Sequence, residues 1–200
     1  PKPSSAASDV YKRQTMHQSI MAHIAVLGLG NWGSAIARLW LLDGHKVKGW
    51  TIEQEVYESI TMEGMNHKYL PDHSLDGLEA TMHVEDALDG SEIIVLALPS
   101  SVILNVVEDI IQYLRPGHVL LDLAKGLAPG KRLISEAIHQ MLNDNNMHNP
   151  LAILTGPTIA PEAAGGVMTT ALVASEDMSV ADKLASTLTT PTFILHPASD

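Results

Sequence analysis

The stretch from His23 to Gly33, H-I-A-V-L-G-L-G-N-W-G, limits what this chain can fold into more than any other. A short apolar run, Ile24 to Leu27, leads into Gly28, Gly30 and Gly33. Apolar residues then recur at Ala35, Ile36, Leu39 and Trp40, at the spacing of a helix face. A strand, a tight glycine turn and a helix start are the setting in which G-x-G-x-x-G predicts a dinucleotide site. Gly28 permits the turn, Gly30 leaves the backbone open to a pyrophosphate, and Gly33 allows close packing of helix on strand. The helix start adds free N–H groups and the positive end of a dipole.

The later chain alternates in the same way. Lys46 to Thr51 predicts a second strand, and Glu53 to Met62 a helix. Glu53 lies twenty residues past Gly33, where an acid can accept hydrogen bonds from ribose hydroxyls. It could equally do no more than favour a helix dipole. No arginine or lysine lies between Thr51 and Tyr57, which leaves a 2′-phosphate without an obvious partner and favours NAD over NADP. Asn66 to Pro71 reads as a loop, and Ala80 to Val84 as a short strand. Glu92 to Leu98 is nearly all apolar, as in a strand buried on both faces of a parallel sheet. It stops at Pro99-Ser100, and Val102 to Leu114 carries helical periodicity. His118 to Leu123 is another buried strand, ending at Ala124-Lys125-Gly126. A helix from about Lys131 to Leu142 and a strand from Leu151 to Leu154 follow, and then Gly156-Pro157-Thr158. Thr170 to Ala174, Val180 to Leu188 and Thr192 to Leu195 complete the pattern as strand, helix and strand.

The expected fold is therefore α/β, a Rossmann-type doubly wound and mostly parallel sheet. Ligands of such sheets gather beyond the carboxyl ends of the strands. Gly28 to Gly33, Thr51 to Glu53, Pro99-Ser100, Ala124 to Gly126 and Thr155 to Thr158 should then converge in one crevice. Lys125, at a strand end beside a glycine, can offer a positive charge to a phosphate, a carboxylate or a developing alkoxide. The plainer reading is a solvated surface lysine. Thr158 offers a hydroxyl to the crevice, or else a helix cap.

Composition narrows the classes. A net charge of −11 gives no general attraction for nucleic acid or anionic membrane. With no cysteine there are no disulfides and no thiolate chemistry, which fits a reducing compartment and a cytoplasmic location. No apolar run approaches a membrane span in length. The ten histidines show no ligand spacing, so no metal site is expected. G-x-S-x-G and the G-K-[ST] ending of a phosphate-binding loop are both missing. Residues 1–20 are polar and irregular and lack the apolar core of a signal peptide. They read as a disordered tail or a non-native leader resembling translated linker, with Met16 and Met21 as candidate starts, and residues 21–200 as the dinucleotide-binding domain.

Further motifs sharpen this reading. G-L-G-N-W-G-S-A-I-A from Gly28, Y-L-P from Tyr69, L-P-S from Leu98, K-G-L from Lys125, L-I-S-E from Leu133, G-P-T-I-A-P-E from Gly156 and T-T-A-L-V-A-S from Thr169 occur in this order. From His23 to His196 the chain resembles the amino-terminal half of NAD(P)-dependent glycerol-3-phosphate dehydrogenases. The resemblance implies reversible hydride transfer between the nicotinamide and dihydroxyacetone phosphate, giving sn-glycerol 3-phosphate for glycerophospholipid metabolism. It implies that Asn31, Trp32, Tyr69, Ala160, Pro99 and the Ile52-Glu53 segment contact the dinucleotide. Lys125 would act catalytically on substrate and nicotinamide, and Gly156 and Thr158 would line the substrate. Ala124 replaces a common serine or threonine, Ile159 a common phenylalanine, and W-T-I-E a W-G-R-D-like form. The last departure leaves NADP possible while agreeing with NAD. The family continues into a helical domain that carries its principal catalytic lysine and its phosphate-holding asparagine and arginine. The chain ends at Asp200, before that domain, so this piece is expected to be inactive alone, and a homodimer is expected of the full-length protein. The cofactor domain of a 3-hydroxy acid dehydrogenase and a stand-alone nucleotide-binding module are the alternatives.

Overall fold

The computed structural model describes residues 21–124 and 126–199. Residues 1–20, to which the leader expectation applies, and Lys125 lie outside the described residues.

The glycine turn sits at the centre of an eight-stranded sheet. Its strand, β1 (His23–Leu27), pairs in parallel with β2 (Lys46–Trp50) on one side and β6 (Ile93–Leu96) on the other. Between β2 and β6 the chain forms β3 (Met65–Asn66), β4 (Leu70–Ser74) and β5 (Glu79–Thr81). After β6 come β7 (Val119–Asp122), β8 (Leu151–Thr155), β9 (Thr169–Ser175) and β10 (Phe193–Ser199). The spatial order is β10-β9-β8-β7-β6-β1-β2-β5. From β5 to β8 this is the 3-2-1-4-5-6 arrangement of doubly wound dinucleotide folds, with the reversal of direction between β1 and β6. The first six strands of that run are parallel, whereas β9 and β10 run opposite to β8.

The apolar runs are continuous because both faces are covered. Alternate side chains of a strand point to opposite faces. Ile24, Val26 and Val95 accordingly enter one core with α1 (Asn31–Leu42), while Ala25, Leu27, Ile94 and Leu96 enter the other with α4 (Ile103–Ile110). The remaining helices are α2 (Gln54–Glu63), α3 (Val84–Leu88), α5 (Ile134–Asp144), α6 (Ala160–Ala164) and α7 (Met178–Leu188). Trp40 of α1 is fully buried, and its indole N–H donates to the Leu188 carbonyl at 3.1 Å, tying α7 to the first half of the sheet. His45 and His118 are buried too, and each accepts a backbone N–H, from Ala22 and Arg115, so they act as structural acceptors.

Two local expectations change. The segment expected to be a loop, Asn66 to Pro71, instead belongs to a two-stranded antiparallel hairpin of β3 and β4. Pro71 is compatible with it because each strand there has only one partner. The segment expected as a strand from Ala80 to Val84 divides, with Glu79–Thr81 forming β5 and Val84 opening α3. Five residues are too few for a helical period to show.

Candidate functional site

At the carboxyl ends of β1, β2, β6 and β7 lies a crevice of about 960 Å³. The first glycine turn forms its floor. Gly28 has φ +102°, a conformation that side-chain-bearing residues rarely adopt, and an added Cβ would sit 2.5 Å from the Ala97 carbonyl. A Cβ on Gly33 would sit 1.8 Å from the Gly28 carbonyl, so α1 lies directly against the turn. Gly30 differs, because a Cβ there meets nothing within 4 Å. The space that Gly30 leaves open belongs to the crevice, which it lines with Gly28, Asn31 and Trp32. Gly33 lies beneath that lining, in keeping with a packing role.

Helix α1 begins at this floor. Its N-cap is Gly30, no side chain caps it, and its first turn holds no acid. The N–H groups that begin any helix, and its positive dipole end, are therefore offered to the crevice without an acid in their own first turn to neutralise them. This cradle suits a pyrophosphate.

One wall comes from the end of β2. Trp50, Thr51, Ile52 and Glu53 line it, together with Tyr69 from the hairpin. Glu53 is the N-cap of α2, but its side chain makes no cap hydrogen bond. Instead one carboxylate oxygen accepts the Tyr69 hydroxyl at 2.8 Å and the other the Lys68 ammonium at 2.5 Å. The hydrogen bond from Lys68, then that from Tyr69, holds the Glu53 carboxyl below the usual carboxylate range. The same carboxylate pushes the Tyr69 phenol up. Each carboxylate oxygen has a second lone pair free for a ligand hydroxyl.

Asn66 sets this wall against the floor. Its fully buried amide donates to the Leu29 carbonyl and to the Ser34 hydroxyl, both at 2.9 Å, and its oxygen accepts the Tyr69 N–H at 3.1 Å. One side chain thus joins the glycine turn, α1 and the hairpin. Sequence reading missed Asn66 and Lys68. The signal for Asn66 was an Asx residue three positions before Tyr69. Lys68 was hidden because it is fifteen residues from Glu53 and only the hairpin returns it.

The opposite wall follows β6 and β7. Pro99, Ser100 and Ala124 line it, and Asp109 reaches in from α4. Gly126 (φ +134°) stacks its backbone over Ser100, where a Cβ would lie 3.2 Å from that side chain. Asp122, at the end of β7, is buried and accepts the Ala124 N–H at 2.8 Å. Burial raises its carboxyl to about 6, against the lowering effect of that hydrogen bond. Thr158 and Ala160 close the far end. Ile159, not Thr158, is the N-cap of α6 and no side chain caps that helix, so the threonine is not used as a cap. Gly156 lies off the lining and packs against Ala171 of β9, where a Cβ would come within 3.0 Å. Lys125, expected at this wall, is outside the described residues. Among the described residues the lining carries two acids, Glu53 and Asp109, and no cation. No group of three His, Asp or Glu among them is placed to hold a metal ion.

Comparison with known proteins agrees with this geometry. Residues 23–181 match the family model described as NAD-dependent glycerol-3-phosphate dehydrogenase N-terminus. Relatives include the glycerol-3-phosphate dehydrogenase [NAD(P)+] of Halothermothrix orenii, 34% identical over 88% of this chain and 51% of its own length. The enzyme of the same name from Exiguobacterium sp. is 35% identical over 90% of this chain and 53% of its own. The chain spans about half the length of these curated relatives. The crystal structure of glycerol-3-phosphate dehydrogenase from Coxiella burnetii superposes with a TM-score of 0.82 at 28% identity, over 89% of this chain and 54% of that one. A UDP-D-ManNAc dehydrogenase from Pyrococcus horikoshii shares the fold, with a TM-score of 0.70 at 20% identity, over 88% of this chain and 47% of that one.

Proposed function

The chain belongs to the family of NAD-dependent glycerol-3-phosphate dehydrogenase amino-terminal domains, and from that membership we propose that residues 21–200 are the cofactor half of such an enzyme. The complete protein transfers hydride between NAD(P)H and dihydroxyacetone phosphate. One hydride and one proton are added to the ketone carbonyl, and sn-glycerol 3-phosphate and the oxidised nicotinamide result. When bound, the nicotinamide supplies or accepts the hydride. The observation that carries this reading is the open cradle at Gly30, above an uncapped helix start and beside the Glu53 carboxylate.

In this reading Gly28, Gly30, Asn31 and Trp32 receive the pyrophosphate through backbone N–H groups, and Gly33 keeps α1 close enough to do so. Ile52, Glu53 and Tyr69 receive the adenosine, with Glu53 accepting from the ribose hydroxyls. Pro99 and Ala160 border the cofactor farther along, and Thr158, with Gly156 supporting its loop, borders the substrate. Lys125 follows Ala124, which lines the crevice, and supplies positive charge to the substrate at that end. The substrate's phosphate and the main proton donor require groups beyond these, so the residues named here bind nucleotide weakly at best and do not support turnover by themselves. The full-length enzyme acts as a cytoplasmic homodimer in glycerophospholipid metabolism. No helix among the described residues is long and apolar enough to cross a membrane.

Trp32 and Trp50 both line the crevice, which provides an optical readout. Titration of the chain with NADH should quench tryptophan emission and produce energy transfer to the reduced nicotinamide, reversed by excess NAD. Failure to see saturable transfer at millimolar NADH would remove the cofactor-domain reading. Ordinary turnover of dihydroxyacetone phosphate by these 200 residues would remove the half-site reading.

A further inference from the structure

The cation nearest the ribose wall is also the one that the spacing of the sequence concealed. Lys68 is exposed at the tip of the β3–β4 hairpin, and its ammonium bridges two carboxylates, Glu53 and Glu55. It also lies 5.4 Å from the centre of the Tyr69 ring. Glu53 lines the crevice, whereas Glu55, on the first turn of α2, does not. Asn66 ties the hairpin to the glycine turn, so the position of this cluster relative to the crevice floor is defined.

We propose that Lys68 determines how the protein discriminates at the 2′ position of the cofactor ribose, and that Glu55, which touches no cofactor, tunes this by competing for the same ammonium. The proposal rests on the reading of the crevice as a dinucleotide site with the ribose at Glu53.

Charge separates the two cofactors. Two carboxylates and one ammonium leave the cluster one negative charge in excess. A ribose 2′-hydroxyl can donate to Glu53 without disturbing that arrangement. A 2′-phosphate brings further negative charge against it and can be held only by drawing Lys68 away from one carboxylate. Lys68 is then both the anchor that orients Glu53 for NAD and the cation that the described residues pair with that carboxylate, available to a 2′-phosphate beside it. Its flexible stem allows either state, as a rigid guanidinium fork would not. Removing Glu55's charge relieves the competition and makes the cluster neutral, while removing Lys68 leaves the Glu53 carboxylate bare beside the phosphate.

The test compares NADH and NADPH affinities by energy transfer for the parent chain, Glu55→Gln, Lys68→Met and the double variant. The parent should prefer NADH. Glu55→Gln should raise the NADPH-to-NADH affinity ratio by about threefold to tenfold, the size expected for one charge near a phosphate in a solvated site. Lys68→Met should lower that ratio by a similar factor. In the Lys68→Met background the Glu55→Gln gain should shrink to less than about twofold, because Glu55 acts through the lysine. Raising the salt concentration should compress all of these differences. Equal loss of both cofactors in Lys68→Met would make the lysine a structural clasp and overturn the proposal. An undiminished Glu55→Gln gain in that background would overturn it as well. Absence of binding of either cofactor to the parent chain is a different result, which removes the crevice reading itself.

Discussion

Replacing Asp122 by asparagine should stabilise the protein relative to its parent as pH rises from 4 to 8. Asp122 is 2% exposed at the end of β7, and burial raises its carboxyl from 3.8 to about 6. Between those values the folded protein holds a proton that the unfolded chain has released. Stability therefore falls as pH rises through this window, and the loss is nearly complete about one pH unit above 6. At 1.36 kcal/mol per pH unit the full effect is about 3 kcal/mol, of which about 2–3 kcal/mol develops between pH 4 and pH 8. Asparagine keeps an oxygen that can accept the Ala124 N–H. Its added amide N–H groups carry a desolvation cost, but one that does not vary with pH. The assay is urea unfolding of both proteins at several pH values, followed by circular dichroism. The gap between them should move in favour of Asp122→Asn by about 2–3 kcal/mol across the range, or roughly 5–10 °C in Tm. A gap that is the same at pH 4 and pH 8 would refute the reasoning and show that the Asp122 carboxyl titrates normally.

Two further substitutions probe the frame. Gly33→Ala should move α1 away from the turn, since its Cβ would lie 1.8 Å from the Gly28 carbonyl. It should destabilise by about 1–3 kcal/mol and weaken NADH binding, and a thermal melt and a titration on the same sample would check both. Trp40→Phe leaves the buried Leu188 carbonyl without its donor and should lower stability by about 1–3 kcal/mol. Its NADH affinity should stay close to that of the parent, because Trp40 does not line the crevice.

Much of this architecture was legible because its physical causes are local. The glycines at 28, 30 and 33 need their spacing, and each occupies the place that the spacing implied. Ile93 to Leu96 is apolar throughout because two cores need it, so a buried parallel strand could be expected. Strand direction is another matter, as an apolar run reads the same both ways, and the reversal of β9 against β8 is written only in tertiary packing. At the candidate site, Glu53 could be identified by its distance along the chain, but its partners could not. Lys68 and Tyr69 reach it because a hairpin folds over Asn66, and a buried asparagine bridging three segments has no signature in composition or period. No arginine or lysine lies between Thr51 and Tyr57, yet a cation still arrives at Glu53 from a different element.

The central claim is that the space above Gly30 receives the pyrophosphate. Gly30→Asp tests it most directly, because an added Cβ there meets nothing within 4 Å, while the carboxylate it carries brings negative charge to the cradle at a helix start. The measurement is NADH affinity by tryptophan-to-nicotinamide energy transfer, with Tm recorded on the same samples. The Tm should stay unchanged, within about 2 °C, while affinity falls at least about a hundredfold, the scale of a lost phosphate site facing a like charge. NADH bound equally well by Gly30→Asp and the parent would contradict it.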